Sequence, residues 1–101
     1  MTRKIFVYWR DIPAQVIVQR GRVREKGMLS TRFQEAIDRA AMRAGKGGSD
    51  AYIEEWRRET EPVDSGADIK AVVALELARI EAEFTDDALD ALARNHGIAR
   101  V

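Results

Sequence analysis

Residues Lys4-Ile5-Phe6-Val7-Tyr8-Trp9-Arg10 constrain this chain more than any others. The run is β-branched and aromatic, and apolar on both of the faces that strand alternation creates. A strand without a polar face must be covered on both sides. The run therefore predicts a central strand, which needs neighbours from the rest of the chain. The nearest is Gln15 to Arg20. Asp11-Ile12-Pro13-Ala14 separates the two, Pro13 being unable to donate to a ladder, and so short a connection predicts an antiparallel hairpin.

Past Gly21, Arg22-Val23-Arg24-Glu25-Lys26-Gly27 reads two ways. If the strand continues, Arg20, Arg22, Arg24 and Lys26 share one face; the glycines at 21 and 27 suit a bulge or loop equally. Helix signals follow. Ser30 or Thr31 suits an N-cap, with Gln34 placed for a capping box, and Phe33, Ile37, Ala40, Ala41 and Ala44 form one stripe that Gly45 closes. Ser49 to Thr60 has helical spacing in Tyr52, Ile53 and Trp56 but strand-forming residue types. The reading adopted is a strand over 51–59, the third of the sheet.

Glu61 to Gly66 is a break, in which Ser65 stands before Asp68 as a capping pair. The helix beyond it aligns Ile69, Val72, Val73, Leu77, Ile80 and Phe84. Thr85 then caps a shorter helix over 86–95, with Leu89 and Leu92 inward, a stop at Gly97 and Ile98 folded back on Leu92. The expected architecture is one α+β domain over residues 1–101. It is a small antiparallel sheet, a hairpin plus a third strand, against helices in the order β-β-α-β-α-α.

Composition narrows function by exclusion. Without cysteine there is no disulfide, thiolate metal site or Cys nucleophile. The apolar run at 5–9 is too short for a signal-peptide core or a bilayer span, so a cytoplasmic protein with no membrane partner is expected. The 17 basic and 17 acidic side chains cancel, which argues against a general polyanion binder. Their distribution is uneven: residues 1–48 carry eleven bases against four acids, and residues 49–101 six against thirteen. Attraction between the two halves inside the fold is the simplest account.

No motif announces chemistry. His96 is the sole histidine and sits at a helix C-terminus, without companions for a metal and without an evident partner for base catalysis. Asp86 and Asp87 have a sufficient reason in the helix dipole, and Gly45-Lys46-Gly47-Gly48 follows a helix, the wrong order for a phosphate cradle. No catalytic, cofactor-binding or metal residue is assigned. The candidate interaction surface is Arg20, Arg22, Arg24 and Lys26 with Trp9 and Arg10 beside them; a candidate pocket is Tyr8, Asp11 and Trp56. About four phosphate contacts through the basic row would give a log–log salt slope of roughly −3 to −4, a weak nucleic-acid binder.

Tyr8-Trp9-Arg10-Asp11-Ile12-Pro13-Ala14-Gln15-Val16, Arg32-Phe33-Gln34-Glu35-Ala36-Ile37 and Tyr52-Ile53-Glu54-Glu55-Trp56-Arg57-Arg58 together resemble the bacterial virulence factor domain family. The resemblance spans nearly the whole chain, and Trp-Arg-Asp-Ile-Pro-Ala is its most distinctive stretch. It brings no catalytic residues with it. It implies a bacterial protein, and an accessory subunit in folate-linked one-carbon (methyl-transfer) metabolism, with no residue here carrying that second implication. The leading expectation is a non-enzymatic accessory domain that docks an unidentified protein, with weak nucleic-acid binding as the alternative. The layout is also compatible with a homo-oligomer.

Overall fold

In a computed structural model, which describes residues 1–64 and 66–99, the central-strand prediction holds. β1 (Thr2–Trp9) lies between β2 (Ile12–Arg20) and β4 (Trp56–Val63), with β3 (Val23–Met28) beyond β2. All three pairings are antiparallel, and the strand order is β3-β2-β1-β4. The helices are α1 (Thr31–Arg43), α2 (Ser49–Glu54), α3 (Ile69–Glu83) and α4 (Asp86–Arg94). The α+β class stands, and the order is β-β-β-α-α-β-α-α: one strand and one short helix more than expected.

The extra strand comes from Gly21. Arg20 pairs with Val23, so Gly21 and Arg22 form a two-residue reversal, and Gly21 has φ +57 where hairpin turns of this length need a positive angle. The glycine that suggested a bulge closes a hairpin instead. The expected strand over 51–59 divides: its first half is α2, and the strand starts at Trp56, directly opposite Trp9. Tyr52 explains the division. Its ring stacks on Trp9 with centroids 5.8 Å apart, and its carbonyl accepts from Trp9 Nε1 at 2.9 Å, a placement that α2 supplies.

Pro13 does not break the sheet. β2 runs from Ile12, and the register with β1 shifts between Val7 and Tyr8, which face Gln15 and Pro13; Ala14 is the extra residue. A bulge is where a strand tolerates a residue without an N–H.

The core lies between the sheet and the helices. Phe6, Val16 and Val18 meet Phe33, Ala36, Ile37, Ala40 and Ala41 of α1, Ile69, Val73 and Ile80 of α3, and Leu89 of α4. Val72, Leu77, Phe84 and Leu92 are half-buried members of the same cluster. Trp9 is fully buried there too. Gly27 of β3 lets α3 approach, since a Cβ there would lie 2.5 Å from Leu77 Cδ1 and 2.9 Å from Val73 Cγ1.

Two helix starts differ in kind. Thr85 caps α4 as expected, its Oγ1 accepting from Ala88 N at 3.1 Å. α1 has no capping box: Ser30 is the N-cap without a side-chain capping bond, and Glu81 of α3 takes over that end. Asp68 caps α3 by accepting from Lys70 N; Ser65 lies outside the described residues. Gly97 follows α4 with φ +82, and Ile98 shares a groove of about 620 Å³ with Leu92 while staying half exposed.

Candidate functional site

Strand alternation and the observed register sort the sheet's side chains into two faces. On the helix side stand the rows Arg20–Thr2–Val63, Glu25–Val18–Lys4–Glu61 and Gly27–Val16–Phe6–Glu59. On the other side stand Arg24–Gln19–Arg3–Pro62, Lys26–Ile17–Ile5–Thr60 and Met28–Gln15–Val7–Arg58. Ile5, Val7 and Ile17 form their own small cluster, joined by Trp56 and by no helix residue.

This open face separates charge. Arg3, Arg24, Lys26 and Arg58 all lie on it, whereas Glu25, Glu59 and Glu61 of the same strands point to the helix side. The four cations are exposed, and none forms an ion pair with another described residue. Ile5, Val7 and Ile17 are only 2–7% exposed although, among the described residues, no helix covers them and only Trp56 joins their cluster. Lys26, Gln15 and Arg58 flank them in the rows, and long charged side chains can lay the stem on apolar surface while the head stays in water. At one end, Val7, Gln15, Trp56, Arg57 and Arg58 line a depression of about 430 Å³.

The six residues expected to form one surface are divided by the fold. Trp9 is a correction: it is buried between strand ends and helices and presents nothing to solvent. Arg10 is half-buried, its Nε 3.1 Å from Glu55 Oε1 and its Nη1 donating to His96 O at 2.9 Å. Arg20 points to the helix side, donating to Thr2 Oγ1 at 3.0 Å and to the Ala67 carbonyl. Arg22 is exposed in the turn. Arg24 and Lys26 alone of the row reach the open face. A chain reversal at Gly21 cannot continue one strand's alternation, which is why the row breaks.

Of Tyr8, Asp11 and Trp56, Trp56 alone lines the depression beside Val7. Arg57 joins the first two, with its guanidinium 4.4 Å from the Tyr8 ring centroid and its Nη2 3.0 Å from Asp11 Oδ1. It also donates to the Arg10 carbonyl at 2.6 Å and pairs with Glu59. Asp11 Oδ2 accepts from Ala99 N at 2.6 Å, and Asp11 N donates to Gly97 O at 2.8 Å. The group fastens the β1–β2 turn to β4 and to the segment after α4. Burial, then the Glu59 charge, raises the Tyr8 pKa above its ordinary value. Desolvation works against the Glu55 carboxylate, but the hydrogen bond and charge of Arg10 and the charge of Lys46 hold its pKa below the usual range.

The sequence's charge asymmetry is partly consumed inside the fold. Lys4, Arg10, Arg32, Arg39 and Lys46 from the first half pair with Glu76, Glu55, Glu81 and Asp90 from the second. Among the described residues no group of three or more His, Asp or Glu side chains is placed to hold a metal ion, and no helix is long and apolar enough to cross a membrane. Sequence reasoning missed Arg3 and Arg58. Alternation along β1 and β4 could have placed each on a face, but only the register shows that the two faces belong to one side.

A family model described as virulence factor matches residues 7–93 of the chain. No curated protein matches it, and no solved structure does.

Proposed function

The chain belongs to the virulence factor family, and on that premise we propose that it is a non-enzymatic accessory domain that binds an acidic protein partner through the open face of its sheet. One observation carries this reading: four exposed cations, Arg3, Arg24, Lys26 and Arg58, share a face to which no strand carboxylate points. Lys4, Arg10, Arg32, Arg39, Lys46, Arg57 and Arg79 pair with acids. The exposed bases left without an ion pair among the described residues elsewhere (Arg22, Arg43, Lys70 and Arg94) are scattered over a turn and three helices, so this face is where unpaired positive charge is concentrated. Like-signed fields of this kind steer encounter with a complementary surface and reject a similar one.

The centre of the face favours protein over nucleic acid. Single-stranded nucleic acid is held by aromatic rings on which bases stack as well as by cations. The central positions here are Ile5 and Ile17, and Trp56 stands at the edge, half-buried.

The test is a pull-down from the source organism with tagged wild type, with the triple variant Arg24→Glu/Lys26→Glu/Arg58→Glu, and with Arg43→Glu as an exposed control on α1. A protein held stoichiometrically by wild type and control, and lost from the triple variant and at raised salt, is the expected result. Equal retention by all three proteins, or retention of nucleic acid in place of protein, overturns the proposal.

A further inference from the structure

We infer that the segment received by this open face is an acidic amphipathic helix of the partner, lying along β1 and β2 and converting the two-layer fold into a helix–sheet–helix sandwich. The inference rests on the proposed function and specifies what docks there.

Three features of the face select a helix over other acidic surfaces. The first is its floor. Ile5, Val7 and Ile17 run along the two central strands as an apolar strip, and an outward-facing apolar strip is unusual for an antiparallel sheet that turns one side to water. The second is the placement of charge about that strip. Arg24 and Lys26 stand on β3 at one edge, Arg58 stands on β4 at the other, and Arg3 closes one end. Strands lie about 4.8 Å apart, so the two edges are separated by roughly 14 Å. An α-helix with its side chains is about 10–12 Å across, which fits that span. A stripe of apolar residues at helical spacing would lie on the Ile–Val strip, with carboxylates on both flanks meeting the edge cations.

The third feature is that no described helix lies on the strip: Trp56 packs against it and the row neighbours flank it. Lys26 and Thr60 flank Ile17 and Ile5 in one row, and Gln15 and Arg58 flank Val7 in the next. A Lys or Arg stem can turn aside about its rotamers, carrying its head to a partner's carboxylate while uncovering the floor. The depression beside Trp56, with Arg58 on its rim, receives one large apolar side chain of the helix.

The experiment uses the full chain and four fluorescent probes. They are a helical peptide with leucines at the a and d positions and glutamates flanking them, the same peptide scrambled, polyglutamate, and oligothymidylate. Anisotropy is read at low and physiological salt, with methyl chemical shifts of Ile5, Val7 and Ile17 followed in parallel. The expected result is binding of the amphipathic peptide at least about tenfold tighter than the scrambled one, equivalent to ~1.4 kcal/mol. It moves the three methyl signals and is weakened in both Arg24→Glu/Lys26→Glu and Arg58→Glu. Equal affinity for the amphipathic, scrambled and polyglutamate probes overturns the helix while leaving the acidic-protein reading intact. Oligothymidylate binding with all three peptides failing overturns both. Failure of every probe overturns the helix, and the pull-down then judges the wider reading separately.

Discussion

Glu81 of α3 accepts from the backbone N of Ser30 at 2.6 Å and from Ser30 Oγ at 2.9 Å, so the start of α1 is held by a carboxylate fifty-one residues further along the chain. Arg32, one residue into α1, completes the clamp by donating to the same carboxylate at 3.0 Å and to the Glu81 carbonyl at 2.7 Å. A helix N-terminus carries unsatisfied amides and a partial positive charge, and this carboxylate answers both.

Glu81→Gln is expected to lower stability by about 1 kcal/mol, because the amide keeps some of the geometry but loses the charge-assisted bonds. Desolvation opposes ionisation of Glu81, yet the Ser30 and Arg32 bonds bring its pKa below the ordinary carboxylate value. A pKa depressed by folding means stabilisation that is complete above the unfolded carboxylate's pKa and is lost as pH falls through the folded value. Urea titrations across the acid range should show a shallower acid limb in the variant. It will not be flat, because Glu55 and Glu76 are depressed in the same direction.

Gly27→Ala should destabilise by about 1–3 kcal/mol through overpacking. Leu77 can swing away, but the Val73 methyl at 2.9 Å belongs to a buried, β-branched side chain with little freedom. Gly27→Ala/Leu77→Ala should recover part of the loss relative to the sum of the single changes. Chemical denaturation of the four proteins measures that coupling.

Gly97→Ala is expected to cost about 1–3 kcal/mol by a different route. Gly97 has φ +82, and a Cβ there would lie 3.0 Å from Trp9 Cζ3. The thermal midpoint should fall and tryptophan emission should change, since the disturbed contact is with the indole itself. A midpoint equal to wild type would remove Gly97 from the account of how the C-terminal segment seats.

The two tryptophans should behave differently in quenching experiments. Trp9 is fully buried and donates to Tyr52 O, whereas Trp56 borders an open depression. Trp56→Phe should leave blue-shifted emission that acrylamide barely quenches. If the amphipathic peptide docks as inferred, it should shield the quenchable component of the wild type.

Much of the fold was legible in the sequence for local reasons. The double-faced apolar run at Ile5–Trp9 required a central strand, the period of Phe33, Ile37, Ala40 and Ala41 required an amphipathic helix, and Thr85 with Asp86 and Asp87 marked a helix start. Each of those signals lies within a few residues of what it specifies. The third strand was half legible, because Gly21 serves a bulge and a hairpin turn equally until a partner strand exists. The division of Ser49–Thr60 into helix and strand was not legible, because it depends on Tyr52 meeting Trp9 across the fold.

The candidate site shows the same division. The sequence by itself determined that bases crowd the first half and acids the second, and that no reactive set of side chains is spelled out by spacing. Only the tertiary structure decided which of those charges cancel. Ion pairing acts over a few ångströms whatever the separation along the chain. Thus Lys4, Arg32 and Arg39 found acids on α3 and α4, while Arg3, Arg24, Lys26 and Arg58 were gathered on one face by strand register. Register is a relation between strands distant in sequence, and no strand contains it alone.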